Sequence, residues 1–165
     1  MHSRIYQVSR SPIPSNNFID ESRYYDGFVG SVADYVSEDT NKEQDIEWLK
    51  EAFGEAVKFD GDRFTIVNKT GFFKARFESW KKAIDKLSKV TLEQFAETEQ
   101  INDEEIAHAS LGFLHYLEEE AFDDKFGFYL DDNDEYYGNQ TLVSFMRNAE
   151  NESTWYIGKT IDYHS

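Results

Sequence analysis

Apolar and polar positions alternate from the start of the chain. Ile5-Tyr6-Gln7-Val8 reads as a first strand, closed by Ser11-Pro12-Ile13-Pro14 because proline cannot continue a ladder. Val29, Val32, Ala33 and Val36 suggest a short helix over Phe28 to Val36. Thr40 then caps a stronger helix, with Glu43 in the capping-box position and Ile46, Leu49 and Phe53 on one face. Val57-Lys58-Phe59 and Arg63-Phe64-Thr65-Ile66-Val67 predict a hairpin, since Asp60-Gly61 between them supports positive φ.

Helical spacing takes over after the hairpin. Phe73, Phe77, Trp80, Ile84 and Leu87 recur at alternating steps of four and three, an amphipathic helix of about five turns. A second capping box, Thr91 to Gln94, opens a short helix around Leu92 to Phe95. Asn102 with Glu105 opens a longer one that turns Ile106, Phe113 and Leu117 inward. Lys125 to Leu130 predicts a strand, Asp131 to Gly138 an acidic loop, and Leu142, Phe145 and Met146 a late helix. Trp155 to Tyr163 ends the pattern as a strand, or as a hairpin turning at Gly158-Lys159. No internal repeat or low-complexity linker interrupts it. The expectation is one α+β domain over residues 1–165, with a small, mostly antiparallel sheet packed against four to five helices.

Composition permits a core of that kind. Leu, Ile, Val and Phe make up 40 of the 165 residues, above the roughly 20% below which disorder is the better expectation. With no cysteine, disulfides, thiolate nucleophiles, Cys-ligated zinc and Fe–S clusters are excluded together. No apolar stretch approaches the roughly 18 residues of a membrane span, and Met1 to Tyr6 lacks the apolar core of a secretion signal. The expected setting is cytoplasmic, with no membrane contact.

Charge changes the picture most. The net charge of −16 is concentrated in the second half: residues 1–82 carry 12 Lys/Arg against 14 Asp/Glu, residues 83–165 carry 5 against 19. Between Glu93 and Glu135 fifteen acids face one base, Lys125. A solvated face is the ordinary meaning of a charge run. General salt adaptation would load both halves, and the first is almost neutral. Helix stabilisation is also a poor account. Glu118-Glu119-Glu120 and Asp123-Asp124 fall near a predicted helix C-terminus, where each anion opposes the macrodipole by roughly 0.3–1 kcal/mol.

A binding surface is the remaining account. Fixed carboxylates can reproduce the charge density of duplex nucleic acid, one negative charge per ~1.7 Å of axis. They would suit the basic cleft of a nuclease or another nucleic-acid-handling protein, with no direct contact to nucleic acid. Tyr116, Tyr129, Tyr136 and Tyr137 interleave with the acids and offer rigid amphipathic anchors. The expected partner-binding residues are Glu104, Glu105, Tyr116, Glu118, Glu119, Glu120, Asp123, Asp124, Asp131, Asp132, Asp134, Glu135, Tyr136 and Tyr137. Small acidic inhibitors, among them DNA mimics and immunity proteins that neutralise nuclease toxins, are similar in composition and size only.

Lys69, Lys74, Arg76, Lys81, Lys82, Lys86 and Lys89 run against this trend, with only Glu78 and Asp85 among them. A basic amphipathic helix can bind nucleic acid, a membrane surface or an acidic partner. The plainer readings are a solvated helix face or pairing with the chain's own acidic half, and pairing between copies would make a homodimer.

Candidate chemistry is sparse. Glu104, His108, His115 and Glu119 share the polar face of one predicted helix, where i,i+4 Glu-His pairs resemble half a metal site. A di-iron centre would need such pairs on separate helices. Asp131-Asp132-Asn133-Asp134-Glu135 opens like a calcium loop, but Tyr136 stands where glycine is required and Leu142 where the bidentate Glu belongs. There is no nucleophile elbow and no phosphate-binding glycine loop. No cofactor is expected. A carboxylate-based, metal-dependent enzyme is the alternative class, and an accessory domain acidic only for solubility is the third.

Overall fold

A computed structural model describes residues 2–92, 100–101, 109–110, 126–130 and 139–164. Its elements are β1 (His2–Ser9), β2 (Tyr35–Ser37), α1 (Lys42–Phe53), β3 (Val57–Asp60), β4 (Arg63–Ile66), α2 (Lys69–Leu87), β5 (Gln100–Ile101), β6 (Ala109–Ser110), β7 (Phe126–Leu130), β8 (Asn139–Thr141), α3 (Leu142–Asn148) and β9 (Thr154–His164). The chain divides into two units, Met1–Phe72 with Asp124–Ser165, and Phe73–Asp123.

The first unit is α+β, built on a seven-stranded sheet in the order β3-β4-β9-β1-β7-β8, with β2 pairing β9. It is larger than the expected small sheet, and it is mixed: β1 and β7 run parallel while the other ladders are antiparallel. The apolar run of β1 is explained by burial on both faces. Ile5 and Tyr6 are adjacent, point to opposite sides and are both fully buried. On one side Phe53 of α1 contacts Phe64, Phe128 and Phe145, and Phe145 stacks on Phe128 at 4.4 Å. On the other side Ile5, Tyr129 and Ile161 pack with Ile19, Tyr24, Phe28, Ala33 and Val36 from the segment between β1 and β2.

Strand β9 is the spine. Residues 156–164 pair with β1 along one edge. Its other edge is shared by β4 over residues 154–156 and β2 over 162–164. The entry to α1 fills the gap between them: Lys42 donates to the Ile157 carbonyl at 2.8 Å and Thr40 to the Thr160 carbonyl at 3.2 Å. Thr40 is therefore committed to the sheet, and Asn41 caps α1 by accepting from the Gln44 amide. This corrects the expected Thr40 cap. Ile46, Leu49 and Phe53 are buried as the spacing predicts.

Gly158-Lys159 is a bulge within one continuous strand, so no hairpin turns there. Two steps on β1, Tyr6 to Val8, match three on β9, Ile157 to Thr160. Buried Gln7 lies opposite. It accepts from the amides of Lys159 and Ile19, each at 3.2 Å, and donates to the Asn17 carbonyl at 2.8 Å. A Cβ at Gly158 would lie 2.6 Å from the Gln7 Oε1, which is why glycine stands there.

Phe28 to Val36 forms no helix. Gly27 and Gly30 take φ of 95° and 89°, and Val29 bridges to Ala33 before β2 begins. The β3–β4 hairpin forms as expected, with Gly61 at φ 61°. α2 spans its predicted five turns, but Phe77 is 58% exposed and lies outside the buried face. Thr141 caps α3, and Lys69 binds the carbonyls of Arg147 and Ala149 at its C-terminal end. The helix expected around Leu92–Phe95 falls outside the described residues, Leu92 excepted. The one expected from Asn102 is corrected at Ala109–Ser110, which form β6 and pair antiparallel with Gln100–Ile101 of β5; its other residues lie outside the described ones.

Candidate functional site

The fourteen residues expected to bind a partner, from Glu104 and Glu105 through Tyr116, Glu118, Glu119, Glu120, Asp123 and Asp124 to Asp131, Asp132, Asp134, Glu135, Tyr136 and Tyr137, lie outside the described residues. So do the Glu104/His108/His115/Glu119 set and the calcium-like loop. Tyr129, proposed with them as an anchor, is described and is buried in the sheet. Its hydroxyl accepts from Arg23, whose guanidinium also lies over the ring at 5.1 Å. It anchors the core.

Three groups of polar or charged side chains stand out in the described residues. The first is a buried network that sequence reasoning missed. Arg4 and Asp162 face each other across β1 and β9 and form an ion pair. Arg4 Nε also donates to Asp45 Oδ1 of α1 at 2.7 Å. Thr160 donates to Asp45 Oδ2 at 2.6 Å, and Tyr6 to the Asp45 carbonyl at 2.7 Å. Asp45 is 1% exposed. Trp48 covers the guanidinium at 5.0 Å. With both carboxylate oxygens engaged, Asp45 has no approach for a substrate, and the network ties α1 to the sheet. Its signal lay in the i,i+4 spacing of Asp45 and Leu49, which puts an acid on the apolar face of α1.

The second group is the segment from Asp20 to Asp39, which holds six acids and one base, Arg23. Asp20 caps the turn Glu21–Tyr24 through Ser22, and this bonding holds its carboxyl below the usual range. The Glu21 carboxylate accepts from Tyr25 at 2.6 Å and pushes that phenol up. Asp34 meets His164 at 3.2 Å, and Tyr35 stacks on the His164 ring at 5.6 Å. Tyr25, Val32 and Tyr35 are 52%, 55% and 43% exposed. Burial pushes the Tyr24 phenol far above its ordinary value, with Tyr129 adding to the effect. The Tyr24 hydroxyl has no hydrogen-bond partner among the described residues.

The third is the outward face of α2 and the residues just beyond it. Lys74, Phe77, Lys81, Lys82 and Lys89 are exposed, and Leu92 is 83% exposed. Lys74 meets Glu78 at 3.9 Å. Among the described residues no ion pair or ammonium hydrogen bond forms at Lys81, Lys82 or Lys89.

Elsewhere several described cations are held locally. Lys42 pairs with Asp62, Lys50 with Glu47, Arg63 with Asp60, and Lys159 with Glu38. The described residues contain no group of three or more side chains fit to hold a metal ion, and no helix long and apolar enough to cross a membrane. No family model, curated protein or solved structure matches the chain.

Proposed function

We propose that the chain is an acidic, non-enzymatic binding protein whose Glu93–Glu135 segment occupies the basic cleft of a nucleic-acid-handling protein, as an inhibitor or immunity-type partner does. One observation carries the proposal. Six of the seventeen Lys/Arg, namely Arg4, Lys42, Lys50, Arg63, Lys74 and Lys159, already pair with carboxylates of the described residues. The other eleven could not neutralise fifteen carboxylates one to one, even if all were directed at that segment. Lys69, moreover, is taken by two backbone carbonyls. The segment therefore keeps surplus negative charge for a cationic surface outside the molecule. Such charge accelerates encounter and makes the complex sensitive to salt.

The test is retention of purified basic nucleases on the immobilised chain, with duplex DNA as competitor. Binding is expected to weaken steeply with salt and to be displaced by DNA. The Glu118→Lys/Glu119→Lys/Glu120→Lys variant should lose it while melting at no lower a temperature. Undiminished retention by that folded variant would remove the proposal.

A further inference from the structure

The segment from Asp20 to Asp39 and the outward face of α2 carry opposite charge, and each exposes large apolar side chains. In the first, Tyr25, Val32 and Tyr35 stand among Glu21, Asp26, Asp34 and Asp39, while the only base, Arg23, is turned onto Tyr129. In the second, Phe77 lies among Lys74, Lys81 and Lys82, with Leu92 beyond. Lys74, Phe77 and Lys81 follow the three-and-four spacing that shares one helix face. Lys81, Lys82 and Lys89 form no ion pair with a carboxylate of the described residues, in a chain where 33 acids outnumber 17 bases. Glu78, paired with Lys74, is the one acid beside Phe77. Exposed aromatic and apolar anchors within a polar rim suit an interface centre, and rims of opposite charge favour each other.

From this complementarity we infer that the chain self-associates, with the α2 face of one copy seated on the Asp20–Asp39 segment of a second. A polyphosphate would satisfy the lysines and leave the acidic segment unmatched. A basic protein would do the reverse. A second copy supplies both halves. The two patches differ, so the contact is heterologous.

Two chains at −16 also repel as whole bodies. That repulsion reaches about 30 Å at 0.01 M salt but only about 8 Å at 0.15 M. Self-association is therefore strongest at intermediate salt and weaker at both extremes, unlike the monotonic loss expected for the acidic segment and a basic partner.

Sedimentation equilibrium on the full chain tests this through a charge swap. The unmodified protein is expected to gain mass with concentration near 0.15 M salt. Lys81→Glu/Lys82→Glu removes the gain, and so does Asp26→Lys/Asp34→Lys, each with native circular dichroism. Mixing the two variants restores association, by about tenfold or more over either alone, because the intact patch of each meets the intact patch of the other and the two reversed patches also attract. Phe77→Ser weakens it without altering charge. The inference does not rest on the acidic segment: the Glu118/Glu119/Glu120 reversal should leave the mass unchanged, so the two ideas fail separately. A monomer up to about 1 mM at every salt concentration would overturn self-association. Variants that keep the mass gain, or a mixture that stays monomeric, would overturn the assigned surfaces.

Discussion

Arg4 and Asp162 stand directly opposite each other on β1 and β9, and they pair on the same side of the sheet as Asp45 of α1. One guanidinium thus serves two carboxylates from elements far apart in sequence. Removing it would leave Asp45 charged at 1% exposure with only the Thr160 hydroxyl for compensation. Arg4→Met is expected to cost about 3–5 kcal/mol in urea denaturation. Arg4→Met with Asp45→Leu should cost clearly less than the two single losses combined, since no orphaned charge remains at position 45. Strictly additive losses would refute the coupling.

The bulge at Gly158 makes a second case. Gly158→Ala places a methyl 2.6 Å from Gln7 Oε1 and 3.0 Å from Ile13 Cδ1. Gln7 cannot swing away without giving up its bonds to Asn17, Ile19 and Lys159. A loss of about 1–3 kcal/mol is expected. In a Gln7→Ala background the added penalty should shrink, a coupling readable from a denaturation cycle. An equal penalty in both backgrounds would place the strain elsewhere.

Tyr24 supplies a stabilising substitution. A buried hydroxyl without a partner costs about 1–3 kcal/mol in lost hydration, so Tyr24→Phe should raise the melting temperature. The pH dependence follows from the raised Tyr24 phenol. Below about pH 10 the residue is neutral in both folded and unfolded chains. Above it the unfolded chain ionises first, so stability falls as pH rises, by up to about 1.4 kcal/mol per pH unit from this group. The phenylalanine variant should lose stability less steeply between pH 10 and 11. Parallel profiles would refute the assignment.

Gly61 tests the hairpin. Its φ of 61° has open space around the missing Cβ, so alanine is penalised by backbone strain alone, about 1–2 kcal/mol. Gly61→Asn should cost less, because asparagine tolerates the left-handed region. Equal costs would mean the turn relaxes.

Much of the fold was legible where neighbours in sequence decide structure. The apolar faces of α1 and α3, the β3–β4 hairpin and strands β1 and β7 follow local periodicity and turn chemistry. Errors arose where a distant partner outbid a local preference. Thr40 looks like the cap of α1, but its hydroxyl is used by the Thr160 carbonyl, 120 positions away. Phe77 fits the apolar spacing of α2 and yet is exposed. Tyr129 resembled a surface anchor because acids flank it in sequence, and the alternation of β7 turns it into the core.

By itself, the sequence determined the charge balance, its concentration between Glu93 and Glu135, the absence of thiol chemistry and the position of most described elements. These depend on residue identity and on neighbours a few positions apart. Only the tertiary structure decided that Arg4 closes on Asp162, 158 positions away, that Gly158 begins a bulge, and that Lys81 and Lys82 of α2 stand exposed. Such outcomes depend on which strands lie side by side, and pairing across a sheet is set by burial of the whole core.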